Sequence, residues 1–402
     1  MTNDDSKQES PYYRWIILAI MWSTTFISVY AQFQVSALAY KIIPDLNLTS
    51  GNFAMVLLSP MLPAVFFSIV AGALADRFGV KRVVAVSFVF SIIGTYYRYL
   101  ATDFWSFFLL MFLSGFSVAL LNANVSKLVG AWFPRKQIGT AMGIYFSALG
   151  FGMGATLITA SFFSTVKSAY TTAGLIMIVV FILWMIFIKN KPDGAPELPS
   201  QPVLKYIRIA AKSKSIWLAG LALMCFMGAN MAFLGFLPNA LTQARGIEPG
   251  QAGIMAAMVT LGTILGNIIG PYMADRIGRM KPFLSPVAFL GAILMFASWM
   301  TQGISMWAIL LLLGICLGIS TPLLMAFPML LPEIGPIYAG SAGGLLATLQ
   351  LIGAFFIPSI IIAPLGGDNY TILFGLSSLF LLLLGIVALF LPELGTKASK
   401  EA

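Results

Sequence analysis

Long, nearly uncharged apolar runs recur along the whole of this 402-residue chain, and they constrain its fold more than any other feature. A run of about 20 such residues is what an α-helix needs to cross a bilayer. Only 9% of the residues are charged, against roughly 25% in a typical soluble protein. The sequence therefore predicts an all-α membrane protein with twelve transmembrane helices, at residues 14–40, 51–74, 81–100, 105–132, 139–165, 169–188, 215–241, 250–273, 282–301, 305–331, 337–363 and 370–391.

The basic residues fix a predicted orientation for these helices. If the N-terminus lies in the cytoplasm, all but four of the 23 Lys and Arg residues fall at or near the inner helix ends, loops and tails; the exceptions are Lys41, Arg98, Lys167 and Arg245. This asymmetry follows the positive-inside rule. It predicts that both termini are cytoplasmic, in a multi-pass protein of the inner or plasma membrane. It also accounts for the net charge of +9 without a nucleic-acid partner.

The same charged cluster occurs twice in the sequence, and its two copies are separated by half the length of the chain. Asp76 and Asp275 lie 199 positions apart, and each is followed by Arg-x-Gly. Further matches share this offset or nearly so: Gly51 with Gly250, Gly115 with Gly314, and GTAMG at 139–143 with GSAGG at 340–344. These matches predict an internal duplication. The predicted organisation is a tail at 1–13, a six-helix half at 14–188, a Pro-rich linker at 189–214, a second half at 215–391 and a tail at 392–402.

The first copy of the cluster carries a family resemblance. Gly72-x-Leu74-Ala75-Asp76-Arg77-x-Gly79-x-Lys81-Arg82 resembles the signature of the major facilitator superfamily between helices 2 and 3. The copy around Asp275 resembles the weaker counterpart between helices 8 and 9, with Pro271 in place of Gly72 and Met280 in place of Lys81. The resemblance covers all twelve predicted helices. It implies a secondary transporter that works by alternating access between two six-helix halves.

The resemblance also implies that the doubled cluster is a gate. An acid at a helix end can meet the positive N-terminus of another helix, which here would pair Asp76 with helix 11 and Asp275 with helix 5. Arg135 is the first candidate for a charge partner from helix 4, and Lys127 is the second. The alternative is that the cluster only sets topology and loop shape. The predicted gate residues are Gly72, Asp76, Arg77, Gly79, Lys81, Arg82, Arg135, Asp275, Arg276 and Gly278.

The inventory of titratable residues limits the mechanism. The chain has no histidine, and its 14 acids all fall in the tails, linker, loops or the two motif copies. A proton relay built from carboxylates or imidazoles is therefore not expected, and uniport or exchange is favoured. Neither a metal-ligand constellation nor a buried acid–base pair is apparent, so we predict no enzyme activity and no cofactor. The expected substrate is a small anionic or neutral polar metabolite.

Polar side chains within the apolar runs are candidates for substrate contact. Amides in membrane helices also bond neighbouring helices, so a packing role is the alternative for each one. Lys127 either neutralises an anionic substrate or extends to the interface, and we expect Arg98, within YYRY, to do the latter. The predicted substrate-binding residues are Tyr30, Gln34, Asn122, Lys127, Tyr145, Asn230, Asn267 and Gln350.

Two segments of the chain resemble particular groups of carriers within the superfamily. GIYFSALGFGMG at 143–154 resembles the glycine-rich helix of nitrate/nitrite and cyanate porters, and VSKLVGAWFPRKQIGTA at 125–141 resembles a turn of choline- and haem-linked carriers. Nitrate porters hold their anion with Arg at depth in helices 2 and 8, and none is present here. One alternative substrate is a zwitterion or quaternary amine held by aromatics such as Trp22 and Tyr30. A non-transporting receptor or scaffold is the alternative of another class. We expect a monomer whose partners are its substrate and the lipid bilayer.

Overall fold

The computed structural model describes residues 12–133, 137–192, 211–277, 280–331 and 335–393. Within these ranges the chain forms helices and no strand. Twelve of the described helices are long and apolar enough to cross a membrane. The predicted all-α class with twelve transmembrane helices is thereby confirmed. We number these membrane helices 1 to 12 in chain order.

The first six membrane helices are interrupted at several points. Helix 1 is Tyr13–Ala37, and a short helix, Ala39–Asp45, follows it. Helix 2 consists of Ser50–Leu58, a 3-10 turn at Ser59–Met61 and Leu62–Phe78, and helix 3 is Val80–Tyr97 with a 3-10 turn at Arg98–Leu100. Helix 4 is divided into Phe104–Ser114, Phe116–Asn122 and Val125–Trp132. Helix 5 is Ile138–Thr159, with a 3-10 turn at Ala160–Phe162, and helix 6 is Val166–Phe187. The break in helix 2 falls at Pro60, which has no backbone N–H to donate.

The last six helices are more continuous. They are Lys214–Arg245, Pro249–Ile277, Lys281–Met300, Ile304–Leu330, Gly335–Phe356 and Tyr370–Phe390. Helix 11 continues from Phe356 through a π-helical segment at Ile357–Ile362 and a final turn at Ala363–Gly366. Pro358 lies within that segment, and wider turns of this kind accommodate a residue that interrupts the regular hydrogen-bond ladder.

The contacts divide the described residues into two compact units. The first comprises 12–34, 59–156 and 163–192, and the second comprises 35–58, 157–162 and 211–393. The core of the first unit is a cluster of buried apolar side chains that includes Phe88, Leu128, Tyr145 and Trp184. In the second unit helices 8 and 10 pack closely, and glycines line both sides of the crossing at Gly262 and Gly266 on helix 8 and Gly314 and Gly318 on helix 10.

The same helix crossing occurs once in each unit. Gly115 of helix 4 lies against the backbone of Pro60 in helix 2, and Gly314 of helix 10 lies against the backbone of Val259 in helix 8. A Cβ added to either glycine would fall well under 3.0 Å from that backbone, a separation that real side chains essentially never show. Pro60 and Val259 are 199 positions apart, as are the two glycines. The sequence offset therefore also relates the tertiary contacts of the two units.

A second crossing repeats in the same way. Gly152 of helix 5 packs on the backbone of Phe26 in helix 1, and Gly353 of helix 11 packs on the backbone of Met224 in helix 7. The two glycines are 201 positions apart, which is the offset of the GTAMG and GSAGG segments on the same helices. Close approach of backbones at small residues is how membrane helices gain van der Waals contact without a hydrophobic driving force.

Candidate functional site

The turn of the first motif is held by a residue far away in sequence. Gly79 has a φ of 80°, a left-handed conformation that favours glycine. It ends helix 2 and directly precedes helix 3, where the backbone N–H of Lys81 donates to Oδ1 of Asn190 at 2.8 Å. A Cβ on Gly79 would collide with the Asn190 amide. Asn190 therefore caps helix 3, and its close approach requires glycine at the turn.

The second motif copy has a matching cap. Oε1 of Glu393 accepts from the backbone N–H of Met280 at 2.8 Å and of Lys281 at 3.3 Å, at the start of helix 9. Glu393 lies three residues after the end of helix 12 at Phe390, as Asn190 lies three residues after the end of helix 6. In each unit an acceptor that follows the last helix thus caps the helix that follows the motif.

The predicted gate residues fall into three groups in the structure. Gly72, Gly79 and Lys81 take part in the contacts of the first motif. The side chains of Arg77, Arg82 and Arg276 are exposed, and the Arg77 guanidinium carbon lies 5.2 Å from the centre of the Phe78 ring. Asp76 and Asp275 lie in helices 2 and 8. Arg135 and Gly278 lie outside the described residues.

Lys127 connects the two predicted groups of functional residues. Its ammonium group, on the last segment of helix 4, donates to the backbone carbonyl of Gly72 at 2.9 Å. The side chain is half-buried. Lys127 therefore contacts the first residue of the motif through a backbone carbonyl, and its pairing with the charge of Asp76 stays a prediction.

A chain of hydrogen bonds joins helices 1, 5 and 4. The Thr25 hydroxyl donates to the Tyr145 hydroxyl at 2.9 Å, and the Tyr145 hydroxyl donates to Oδ1 of Asn122. Tyr145 is fully buried, whereas Asn122 is exposed. Tyr145 thus occupies the amide oxygen of Asn122, and the Nδ2 group of that amide can only donate.

Helix 1 also presents a ladder of aromatic rings. Trp22 and Phe26 stack with centroids 5.0 Å apart and planes 14° apart, and Phe26 and Tyr30 stack at 6.0 Å and 21°. All three side chains are half-buried. The indole of Trp22 donates to the Ser147 hydroxyl of helix 5 at 3.1 Å, which fixes the ladder beside the hydrogen-bond chain. The spacing of four residues places the rings on one face of the helix.

Gln34, predicted to bind substrate, is fully buried among protein groups. Its Nε2 donates to the carbonyl of Ala169 at 3.1 Å, and its Oε1 accepts from Nη2 of Arg98 at 2.6 Å. Both ends of the amide are therefore occupied by contacts to helices 6 and 3. This placement favours a packing role for Gln34.

The expectation that Arg98 extends to the membrane interface is wrong. Its side chain is only 1% exposed, and Nη1 donates to the carbonyl of Ala31 at 2.6 Å. The guanidinium carbon lies 3.8 Å from the centre of the Tyr170 ring. The aromatic YYRY context suggested an interfacial belt, but the carbonyl and amide acceptors of helix 1 and the ring of helix 6 hold the cation inside the bundle.

The predicted residues of the second unit are less connected. Asn230 of helix 7 and Gln350 of helix 11 are half-buried, and Asn267 of helix 8 is exposed. Oδ1 of Asn230 is buried without a hydrogen-bond partner. An unsatisfied buried amide oxygen is costly unless a ligand or another conformation engages it. A group that satisfies this oxygen would have to donate a hydrogen bond.

Asn190, Glu393 and Thr25 are the site residues that sequence reasoning missed. Asn190 and Glu393 fall in the predicted linker and tail, where polar residues are ordinary. A signal was present, because each lies three residues beyond a Phe that ends the sixth helix of its half. Thr25 has no comparable signal, since a hydroxyl in a membrane helix commonly bonds its own backbone.

Comparisons with known proteins agree with this architecture. The family model "Major Facilitator Superfamily" matches residues 20–358. The chain is 24% identical over 363 residues to the "Probable sulfoacetate transporter SauU" of Cupriavidus necator, covering 83% of each chain. It is 25% identical over 374 residues to the "Probable nitrate/nitrite transporter NarK2" of Mycobacterium tuberculosis, covering 89% of each.

Solved structures show the same fold at lower identity. A crystal structure of the nucleoside transporter NupG superimposes with a TM-score of 0.76 at 14% identity, covering 94% of this chain and 99% of that one. The family match extends over most of the twelve membrane helices. This chain belongs to the Major Facilitator Superfamily and is a multi-pass transporter of the cell membrane, not an enzyme.

Proposed function

We propose that this transporter carries a small anion, of the carboxylate or sulfonate type, by alternating access of its two halves. The observation that carries the proposal is the charge inside the membrane spans. The twelve spans found among the described residues contain no Asp or Glu, whereas Arg98 and Lys127 lie within them. A membrane interior with cations and no carboxylates attracts anions and repels cations.

The donors of the first unit fit an anionic ligand. Asn122 offers its amide Nδ2 group while Tyr145 holds its oxygen. An anion accepts hydrogen bonds only, so it can use this donor without leaving a group unsatisfied. The Trp22–Tyr30 ladder provides an apolar surface for the carbon skeleton of an organic anion. Tyr30, Asn122 and Tyr145 are thus the proposed contacts of the first unit. Those of the second unit are Asn267, Gln350 and Asn230, the last through its Nδ2 donor only.

The relatives support the same class of substrate. Two proteins named for transport of anions, sulfoacetate in one case and nitrate or nitrite in the other, match more than four-fifths of the chain. Helices 2 and 8 here have no Arg before Arg77 and Arg276, which belong to the motif copies. This difference favours an organic anion over nitrate. Since no span contains a carboxylate and the chain has no histidine, uniport or exchange without a proton relay is the proposed mode.

We assign Lys127 to the gate of this transporter. Its bond to the Gly72 carbonyl ties helix 4 to the motif turn, with both termini proposed to lie in the cytoplasm. Lys127→Gln should therefore reduce the turnover of exchange more than it raises KM. A substrate contact predicts the opposite, because removing one partner of a desolvated charge pair weakens binding by about 2–5 kcal/mol.

The test is counterflow in proteoliposomes that contain the purified full chain. Uptake of labelled sulfoacetate, nitrate and choline is compared, each with its unlabelled form inside. We expect exchange of sulfoacetate without a pH gradient and without an effect of protonophore. Asn122→Asp should abolish it by repulsion, and Asn47→Asp, the same change in an exposed turn, should not. Exchange of choline alone would contradict the anion assignment, and uphill uptake driven by an imposed pH step would contradict the coupling.

A further inference from the structure

Arg98 is a buried cation whose hydrogen-bonding capacity is only partly used. Its side chain is 1% exposed, and it contacts the Ala31 carbonyl, Oε1 of Gln34, the Met111 sulfur and the Tyr170 ring. None of these groups carries a formal charge. Transfer of an unpaired ion into a protein interior costs several kcal/mol even after relaxation, so a cation in such a place is normally paired.

Three buried polar atoms lack partners: one belongs to Arg98, one to the tyrosine that covers it and one to a residue on the same helix face. Nε of Arg98, the Tyr170 hydroxyl and the Thr95 hydroxyl are all buried without a hydrogen bond. Thr95 and Tyr170 are 0% and 1% exposed. Thr95 lies three residues before Arg98 and therefore on the same face of helix 3, while Tyr170 covers the guanidinium from helix 6. Most buried polar groups in proteins are satisfied, so three unpaired groups on Arg98 and on residues beside it require an explanation.

The chemistry of the three atoms specifies what would satisfy them. Nε–H can only donate, and both hydroxyl groups can donate. A ligand that accepts from all three and carries a negative charge would also neutralise the guanidinium. We propose that Thr95, Arg98 and Tyr170 form a binding site for a compact monovalent anion, such as chloride or a small oxoanion, inside the first unit.

The site is distinct from the proposed substrate contacts. Asn122 and Tyr145 belong to the hydrogen-bond chain with Thr25, whereas the Arg98 cluster involves helices 3 and 6 and the Gln34 region of helix 1. An anion held there would stabilise the fold whether or not it is transported. Both proposals cite the charge of Arg98, but this one concerns binding at the cluster and the other concerns transport, so thermal unfolding and counterflow test them separately.

The experiment measures thermal unfolding of the full chain in detergent at constant ionic strength. Sodium gluconate, whose anion is bulky, is replaced stepwise by sodium chloride in one arm and sodium nitrate in the other. A ligand that binds only the folded state raises the unfolding midpoint in a saturable way. We expect saturation in at least one arm, and the arm that responds distinguishes a halide from a planar oxoanion.

Variants that remove one hydroxyl locate the effect. Tyr170→Phe and Thr95→Val should each raise the half-saturating anion concentration about tenfold, which corresponds to ~1.4 kcal/mol. Tyr99→Phe removes a phenol hydroxyl one residue beyond Arg98 and should leave the half-saturating anion concentration unchanged. The absence of saturable stabilisation of the wild-type chain by either anion would overturn the proposal. An identical response in all three variants and the wild type would also overturn it, because the anion would then bind elsewhere.

Discussion

Replacing one glycine in each half should show whether the repeated helix crossing holds the transporter together. The structure places Gly115 of helix 4 on the backbone of Pro60, and Gly314 of helix 10 on the backbone of Val259. An alanine Cβ at either position would lie well under 3.0 Å from that backbone, whereas ordinary contact is 3.4–4 Å. Backbone atoms cannot rotate away as a side chain can. The helices would have to separate to accept the methyl group.

The magnitude follows from two opposing effects. Overpacking of a close contact costs about 1–3 kcal/mol, and separating two helices along a crossing loses dispersion contacts in addition. Alanine in place of glycine inside a helix regains ~1 kcal/mol. Because the obstacle is backbone, we expect the upper end of the cost and a net loss of about 2 kcal/mol for Gly314→Ala. Gly115→Ala should lose at least as much stability. Because Gly115 lies at a break between helical segments, the gain in helix propensity is smaller there.

The assay is thermal unfolding of purified variants, with Gly130→Ala as the matched control. Gly130 lies in the last segment of helix 4, and nothing lies within 4 Å of a Cβ added there. That control should be as stable as the wild type or more so, because only the helix-propensity gain applies. The reasoning is refuted if Gly115→Ala and Gly314→Ala unfold at the temperature of Gly130→Ala, since the helices would then have room for a methyl group.

Four further predictions concern the caps and the hydrogen-bond chain. Glu393→Gln keeps an acceptor at the start of helix 9 but removes its charge. Hydrogen exchange of the first amides of that helix should therefore accelerate about two- to fivefold, for a loss of ~0.3–1 kcal/mol. Asn190→Ala removes the acceptor at the start of helix 3 and should accelerate the exchange of the first amides there. The Asp103 carboxylate accepts from the Ser106 N–H at 2.8 Å, and that bond lowers the pKa of Asp103 from the usual 3.8. The wild type should therefore be more stable than Asp103→Ala at pH 7, and this advantage should fall as the pH drops through the lowered pKa. The unfolding midpoints of the two proteins measure it. Tyr145→Phe leaves an amide oxygen of helix 4 without its donor, which should raise the KM of anion exchange roughly tenfold.

The membrane helices could be predicted because their signal is local and redundant. Each span needs only about 20 apolar residues, and a single substitution does not erase such a run. The glycine crossings were visible as an offset of 199 between Gly115 and Gly314, although the sequence did not show what each glycine contacts. An internal repeat indicates tertiary contacts because matched positions in the two copies pack in the same way.

The environment of Arg98 could not be predicted for a physical reason. Its acceptors come from Ala31 and Gln34, more than sixty positions earlier, and its covering ring from Tyr170, more than seventy positions later. The local aromatic context is the same for an arginine at the interface and for one folded inward. The difference lies in carbonyl and amide acceptors that only the tertiary fold brings near, so composition around the residue favours the wrong environment.

The two caps show how the halves have diverged while keeping one contact. The second motif copy departs from the family signature at Pro271 and Met280. Yet its cap is a carboxylate that accepts from two backbone N–H groups, whereas the first copy has a neutral amide that accepts from one. A charged acceptor at a helix N-terminus forms the stronger bond and interacts favourably with the helix dipole. The weaker sequence motif therefore has the stronger cap, and the loss of motif residues around Asp275 need not loosen the start of helix 9.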